Sequence, residues 1–382
     1  MSLFLLTFFL LYGGTHLYFF LKLKSAVPFS ASAGVCLTLF LLVMILAPVL
    51  VRLCEKHGME ASARLMAYTG YLWMGFIFLF FSSSLALDIY HGLLHVVGYV
   101  SGKNLAPLFL SNRTVFALPL AWGVFALVYG YTEARTIRIE RVVLTSPKIP
   151  REAGKLTIVQ ISDVHLGLIV RKERLKMMLD KVKEARPDIL VATGDLVDGQ
   201  VDSLNGLAEL FQEIRPRYGT FAVTGNHEIY AGLNHSIDFM KAAGFKVLRG
   251  DEITVNGIIT IAGVDDPVIR RVSGSASDEE QRLLSRIPRE TYRVLLKHRP
   301  AVAEGSMGYF DLQLSGHVHK GQLFPFNLLT YLFYPVKAGL NLFPGNTLLY
   351  VSRGTGTWGP PVRFLAPPEV TLIELTHGAG NE

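Results

Sequence analysis

The chain has 382 residues and a net charge of +6, a length that suggests roughly two domains. Half of the residues are apolar and only 18% are charged, which excludes an ordinary soluble enzyme along the whole length. No basic run alternates with aromatics along a presumed groove, so no nucleic-acid partner is expected.

The charge is unevenly spread. Residues 1–135 carry eight Lys/Arg and four Asp/Glu, whereas residues 136–382 carry twenty-nine and twenty-seven. The chain therefore divides into a membrane domain over 1–135, a strand and linker over 136–155, and a soluble domain over 156–382. In the first part Leu3–Leu21, Ala31–Leu53, Met66–Leu87 and Thr114–Tyr131 are apolar runs near the ~20 residues that span a bilayer. The first is long and has no basic amino end, which disfavours a cleaved leader. A bundle of four transmembrane helices is predicted.

Arg52, Lys56, Arg64, Arg135, Arg138 and Arg141 fall on one side of such a bundle, and Lys22, Lys24, Lys103 and Arg113 on the other. Six cations against four put both termini and the soluble domain in the cytoplasm, as in a multi-pass protein of the inner membrane. Cys36 and Cys54 share one predicted helix, roughly 27 Å apart at 1.5 Å per residue, too far to bridge. Asp88, His91 and His95 share a helix face and read as an interfacial helix end.

Beyond the bundle, Thr136–Leu144 alternates like a strand, and Pro147 and Pro150 mark a linker. Leu156–Ser162, Ile189–Thr193 and Thr220–Thr224 read as buried strands, separated and followed by helices over Lys172–Ala185, Leu207–Ile214 and His235–Ala243. This β-α-β-α-β-α order predicts a parallel sheet covered by helices. Phe245–Leu248, Glu252–Val255, Ile258–Val264, Tyr292–Leu296 and Asp311–Ser315 then read as short strands, with a helix near Glu279–Ile287. A second sheet packed on the first accounts for them. Leu348–Ser352 and Val370–Leu375 are further strands. Asp202, Asp265 and Asp266 read as turn residues, and Arg171, Lys172, Arg174 and Lys176 as a solvated helix face, with headgroup contact as the alternative.

Polar residues collect where strands end. LTIVQISDVHLG delivers Asp163 and His165, LVATGDLVDG delivers Asp195 and Asp198, and FAVTGNHE delivers Asn226, His227 and Glu228. Open α/β sheets build their sites at such carboxyl ends, and these side chains suit divalent metals. LLKHRP adds His298, and LSGHVHKG adds His317 and His319, with flanking glycines where the backbone must come close. Five of the eleven histidines thus stand at strand ends beside three aspartates and an asparagine, a pattern that favours a metal centre over structural histidines.

The motifs D-x-H, G-D-x-x-D, G-N-H-E and G-H-x-H, with a lone histidine before the last, run in order between Leu156 and Leu375. Together they resemble the calcineurin-like metallophosphoesterase family. S-R-G-x-G at Ser352–Gly356 and the closing R-F-x-x-x-P-E-V-T-L are similar to its membrane-associated bacterial branch. The resemblance implies a calcineurin-like four-layer α/β/β/α sandwich behind the transmembrane bundle. It implies two divalent ions (Mn, Fe or Zn), with Asp163, His165 and His319 on the first, Asn226, His298 and His317 on the second, and Asp195 bridging. His227 then matches the family's catalytic histidine, and Asp198 and Glu228 orient their neighbours. Lys297 and Arg299, flanking His298, depart from the smaller or neutral neighbours expected there.

The function this implies is a membrane-bound two-metal phosphodiesterase or pyrophosphatase. A hydroxide shared by the ions attacks phosphorus in line, and His227 protonates the leaving oxygen. No P-loop, G-x-S-x-G or thiol nucleophile offers a covalent route. Arg353 is a candidate to hold a substrate phosphate. Membrane placement points to a lipid-linked substrate such as a UDP-acyl-sugar. The alternatives are a soluble-substrate diesterase merely tethered to the bilayer, and a non-catalytic sensor that binds metal or nucleotide. The apolar run Leu323–Phe343 admits three readings: buried core, a loop packed on the bundle, or a surface that dips into the bilayer and admits a lipid tail.

Overall fold

The computed structural model describes residues 2–199, 204, 206–269 and 279–379; Asp202 lies outside them. Two compact units emerge, one of residues 1–132 with Gly359–Phe364, the other of the remainder.

The first unit consists of four apolar helices, α1 (Ser2–Ala26), α2 (Ala31–Lys56), α3 (Glu60–Ser101) and α4 (Asn112–Glu133). All four are long and apolar enough to cross a membrane. Ser30 caps α2 by accepting from the Ala33 N–H at 3.3 Å, and a left-handed Gly102 closes α3. At 42 residues α3 is much longer than the predicted third span, about 63 Å at 1.5 Å per residue. Its later turns carry Asp88, which ion-pairs with Lys22 and accepts from the Tyr18 hydroxyl at 2.6 Å. His91 Nε2 accepts from the Leu110 N–H at 3.1 Å, and the His95 ring lies 4.5 Å from Phe109. Asp88 thus ties α3 to α1, while His91 and His95 tie the α3–α4 connection to α3.

Aromatic rings fill the bundle. Phe19 stands 4.9 Å from Phe80, 5.7 Å from Phe116 and 5.8 Å from Trp73, mostly edge to face. The hexapeptide Gly359–Phe364, far away in sequence, belongs to this unit. The Arg363 N–H donates to the Gly130 carbonyl at 2.9 Å. A Cβ on Gly130 would collide with Val362 and the Arg363 backbone, so the small residue is what lets the segment in.

The second unit contains two six-stranded sheets. The first has the order β1-β12-β2-β3-β4-β5, from β1 (Arg138–Ser146), β2 (Lys155–Ile161), β3 (Ile189–Thr193), β4 (Thr220–Val223), β5 (Lys246–Val247) and β12 (Glu369–His377). β2 to β5 are parallel, and β12 runs antiparallel to β2. The second has the order β10-β11-β9-β8-β7-β6, from β6 (Asp251–Val255), β7 (Ile259–Gly263), β8 (Tyr292–Leu296), β9 (Leu312–Ser315), β10 (Gly339–Phe343) and β11 (Thr347–Val351).

Alternation along the strands builds three apolar layers. Val159, Ile161, Leu190 and Ala192 face helices α5 (Lys172–Ala185), α6 (Ala208–Gln212) and α8 (Leu233–Ala242); the short α7 (Asn226–Tyr230) precedes α8. Ile158, Val191 and Phe221 meet Ile261, Val294 and Leu314 between the sheets. Ala262 and Leu295 cover α9 (Glu279–Ser285) through Leu283 and Leu284. The result is the expected four-layer α/β/β/α sandwich. One assignment changes: Phe245–Leu248 does not open the second sheet. After Gly244 the chain runs straight alongside β4, where the Leu248 N–H donates to the Ala222 carbonyl at 2.8 Å, so β5 extends the first sheet. Arg174 also departs from a solvated face; it is buried and donates to the Ala134 carbonyl at 2.9 Å.

Candidate metal centre

The ends of β2, β3, β4, β8 and β9 converge. Five of the residues there take left-handed backbone: Asp163 (φ 53°), His165 (55°), Asp195 (51°), His317 (73°) and His319 (47°). Asp and His tolerate that region better than most residues, and such strain concentrates at functional sites. Here it turns five polar side chains inward from strands that otherwise alternate.

Three overlapping groups place their ligand atoms within 4.8 Å of one another: Asp163, His165 and His319; His165, Asp195 and His227; and Asp195, His298 and His317. His165 Nε2 and His319 Nε2 are 3.1 Å apart, and His317 Nδ1 and His298 Nε2 also 3.1 Å. His298 Nε2 lies 3.1 Å from Asp195 Oδ2, and His319 Nε2 lies 3.4 Å from Asp163 Oδ1. Asn226 is buried at the start of α7, and its Oδ1 has no hydrogen-bond partner; nor has the buried Nδ1 of His165. Buried polar atoms are seldom left so. Imidazoles paired nitrogen to nitrogen among buried carboxylates are the donor set that divalent cations take.

Hydrogen bonds hold these donors in place. His298 Nδ1 donates to the Thr193 carbonyl at 2.8 Å, leaving Nε2 to face the cluster. Asp163 accepts from the Ser162 hydroxyl at 2.6 Å and from the His317 N–H at 3.0 Å. Glu228 accepts from the N–H groups of Gly225, Asp195 and Leu196 at 2.6, 3.0 and 2.8 Å. One carboxylate thus shapes both the G-D and G-N-H-E turns. The His227 N–H donates to Asp195 Oδ1 at 2.8 Å, and His227 Nδ1 donates to Asp198 Oδ1 at 2.8 Å.

The site is rich in buried carboxylate. Burial, aided by Asp195, raises Glu228 to about 7, and burial raises Asp163 to about 6. Burial opposes charge on His298, but Asp195 outweighs it and pushes this histidine up to about 10. His227 rises to about 9 against burial, through Asp195 and Asp198. Burial and a charged neighbour lower His165 to about 4 and His317 to about 2. Burial thus favours neutral His165 and His317, the form that ligates, while neighbouring carboxylates raise His298 and His227. A cavity with this balance fits cations.

Close approach leaves no room for a side chain at Gly316. A Cβ there would overlap Ser162 Oγ and Asp163 Oδ2. Gly316→Ala is expected to displace Asp163, cost about 1–3 kcal/mol of stability as overpacked sites do, and reduce bound metal. Thermal unfolding and metal analysis check this; an unchanged melting temperature and metal content would refute the close fit.

Lys297 and Arg299 each have a carboxylate of their own. Lys297 Nζ meets Glu280 Oε2 at 2.7 Å, with both side chains buried, and Arg299 Nε meets Asp266 Oδ2 at 2.7 Å. Asp266 also accepts from the Val268 N–H at 2.8 Å, so it is a turn residue and an ion-pair partner at once. Asp265 likewise pairs with Arg249 and accepts from the Thr224 hydroxyl at 2.7 Å. Arg353, the candidate phosphate holder, is ion-paired. Its guanidinium pairs with Glu369 at 2.6 Å and with Glu140. These two pairs tie β1 to β12.

An aromatic rim went unanticipated. Tyr230 and Trp358 lie 5.3 and 5.9 Å from His227, and Tyr334 lies 5.3 Å from His317. The Tyr334 hydroxyl accepts from Arg299 Nη1 at 3.2 Å. Gln322 clamps the Trp358 peptide, accepting from its N–H at 3.0 Å and donating to its carbonyl at 2.8 Å. Only Tyr334 carried a signal, as part of the conspicuous apolar run.

Sandwich, strand-end donors and cation-hungry cavity together define a metal-dependent hydrolase carried by a membrane-helix bundle. Residues 156–321 match the family model for calcineurin-like phosphoesterases. An uncharacterized metallophosphoesterase of Aquifex aeolicus (strain VF5) is 40% identical over 66% of this chain and 97% of its own length. The transmembrane protein with metallophosphoesterase domain of Danio rerio is 34% identical over 69% of this chain and 63% of its own length. YkuE of Bacillus subtilis (strain 168), an uncharacterized metallophosphoesterase, is 31% identical over 65% of this chain and 89% of its own. The chain belongs to the calcineurin-like metallophosphoesterase family, and it is an enzyme of that family with membrane-length helices.

Proposed function

We propose a two-metal phosphoesterase that cleaves a phosphodiester or pyrophosphate bond in a lipid-linked substrate such as a UDP-acyl-sugar, on the cytoplasmic side of the membrane. The observation that carries the chemistry is the overlap of ligand groups at Asp195, which shares one group with His298 and His317 and another with His165. In this reading Asp163, His165 and His319 hold one ion, Asn226, His298 and His317 hold the other, and Asp195 bridges. Divalent ions (Mn, Fe or Zn) bound there would supply Lewis-acid stabilisation of the phosphoryl oxygens and lower the pKa of water.

The remaining roles belong to the chain. Asp198 fixes the His227 ring through Nδ1, which leaves Nε2 to present a proton to the leaving oxygen. Asp195 and Asp198 raise the pKa of that imidazole, as suits a general acid. Glu228 positions the backbone of both ligand turns. The cytoplasmic placement rests on the six cations flanking the helices on that side. The lipid-linked substrate is supported by the membrane-length helices.

Full-length protein purified in detergent is expected to hydrolyse bis-p-nitrophenyl phosphate with added Mn²⁺ and to lose that activity to EDTA. A panel of lipid-linked pyrophosphates, UDP-acyl-sugars included, then separates substrate classes. No hydrolysis with Mn²⁺, Fe²⁺ or Zn²⁺, together with no bound metal, would sink the proposal.

A further inference from the structure

We propose that helix α10 (Phe326–Phe333) is a membrane-inserting element that seats the mouth of the metal centre on the bilayer holding the chain's own helices. None of the eight residues of FNLLTYLF is buried. By contrast α5, α8 and α9 each bury a face. Leu328, Leu329, Tyr331, Leu332 and Phe333 all stand exposed, Leu332 to 74% and Phe333 to 79%. Its two polar residues, Asn327 and Thr330, are half-buried, whereas the exposed side is apolar, the division that suits a helix lying at a membrane interface, and a contiguous exposed patch of this kind marks a contact surface. The buried-core reading of this run therefore fails for the helix itself.

The occupant is a bilayer for two reasons. Four helices of the same chain are of membrane length, so a bilayer is always within reach. The charge also fits: from Leu312 to Pro368 there is no Asp or Glu, while Lys320 and Lys337 flank the helix. Lys337 lies 4.5 Å over the Tyr331 ring. Apolar residues with flanking lysines and a tyrosine match the interface between acyl chains and anionic headgroups.

The helix hangs from the metal centre at both ends. The turn His319–Gly321 leads into it, and a Cβ on Gly321 would collide with the backbone of Asn327. At the far end Tyr334 packs on His317 and bonds to Arg299. Inserting α10 therefore brings the imidazoles to headgroup depth. The class of substrate that suits such a site keeps its acyl chains in the leaflet while its phosphate reaches the histidines. This last step rests on the phosphoesterase reading; the insertion itself does not.

The test uses full-length protein in vesicles of phosphatidylcholine and phosphatidylglycerol, with Cys36 and Cys54 changed to serine. A fluorophore on Leu332→Cys or Phe333→Cys is expected to be quenched about twofold or more by nitroxide on lipid acyl chains, as for residues below the headgroups. The same label on Lys181→Cys, on the polar side of α5, stays bright. Unquenched labels at 332 and 333 that remain open to an aqueous quencher overturn the proposal. Unquenched but shielded labels that cross-link between copies overturn it in favour of a second chain. For Leu332→Glu, the ratio of rates on a vesicle-borne lipid pyrophosphate and on bis-p-nitrophenyl phosphate is expected to fall about tenfold, the order of one lost membrane-binding residue; an unchanged ratio counts against lateral delivery. Absence of all hydrolysis in the wild type would fault the phosphoesterase reading and leave the quenching result standing.

Discussion

Asp195→Ala is expected to abolish hydrolysis and metal binding together. The carboxylate belongs to two of the three ligand groups, accepts from the His227 N–H at 2.8 Å and faces His298 Nε2 at 3.1 Å. Its removal takes one negative charge from a fully buried site and leaves the two donor sets without a common member. Loss of a single preorganised electrostatic group costs about 10²–10³-fold in rate, and a shared ligand should reach or exceed the upper value. Asp195→Asn separates charge from shape. The amide oxygen still accepts from the His227 N–H, but the field that draws cations is gone. Both variants should show less than one ion per chain by metal analysis and little turnover of bis-p-nitrophenyl phosphate. A wild-type rate and metal content in Asp195→Ala would remove Asp195 from the centre.

The centre was legible because its chemistry is local. A strand of Ile, Val and Leu that ends in D-x-H or G-N-H announces both its burial and its donors, and the order of five such ends restricts what they build. The sandwich was legible for a similar reason, since helical and strand periods switch cleanly between Leu156 and Ala243. Long-range pairing was not. Arg353 meets Glu140 across 213 residues, and nothing near Arg353 marks that acidic partner. Gly359–Phe364 carries no membrane-length run, yet it belongs with the helical unit because Gly130 makes room for it. The sheet that receives β5 is likewise decided by tertiary pairing, since a two-residue strand has too few side chains to state a preference. The left-handed backbone at Asp163, His165 and Asp195 is invisible to hydrophobic patterning, although it aims the ligands.

His227 provides the sharper division between binding and catalysis. His227→Ala is expected to keep the metal content near wild type while turnover of an alkyl phosphodiester falls about 10²–10⁴-fold, the usual range for a lost general acid. The geometry supports that split. Nδ1 of His227 is committed to Asp198 at 2.8 Å, and Asp195 and Asp198 outweigh burial and push the ring up to about 9. A p-nitrophenyl ester should suffer much less, because p-nitrophenolate leaves without needing a proton. The comparison therefore measures the kinetics of both esters and the metal stoichiometry of one variant. Equal losses on the two leaving groups, accompanied by loss of an ion, would make His227 a ligand instead. Equal losses with both ions retained would mean that the ring orients the substrate and that the proton for the leaving oxygen comes from elsewhere in the site.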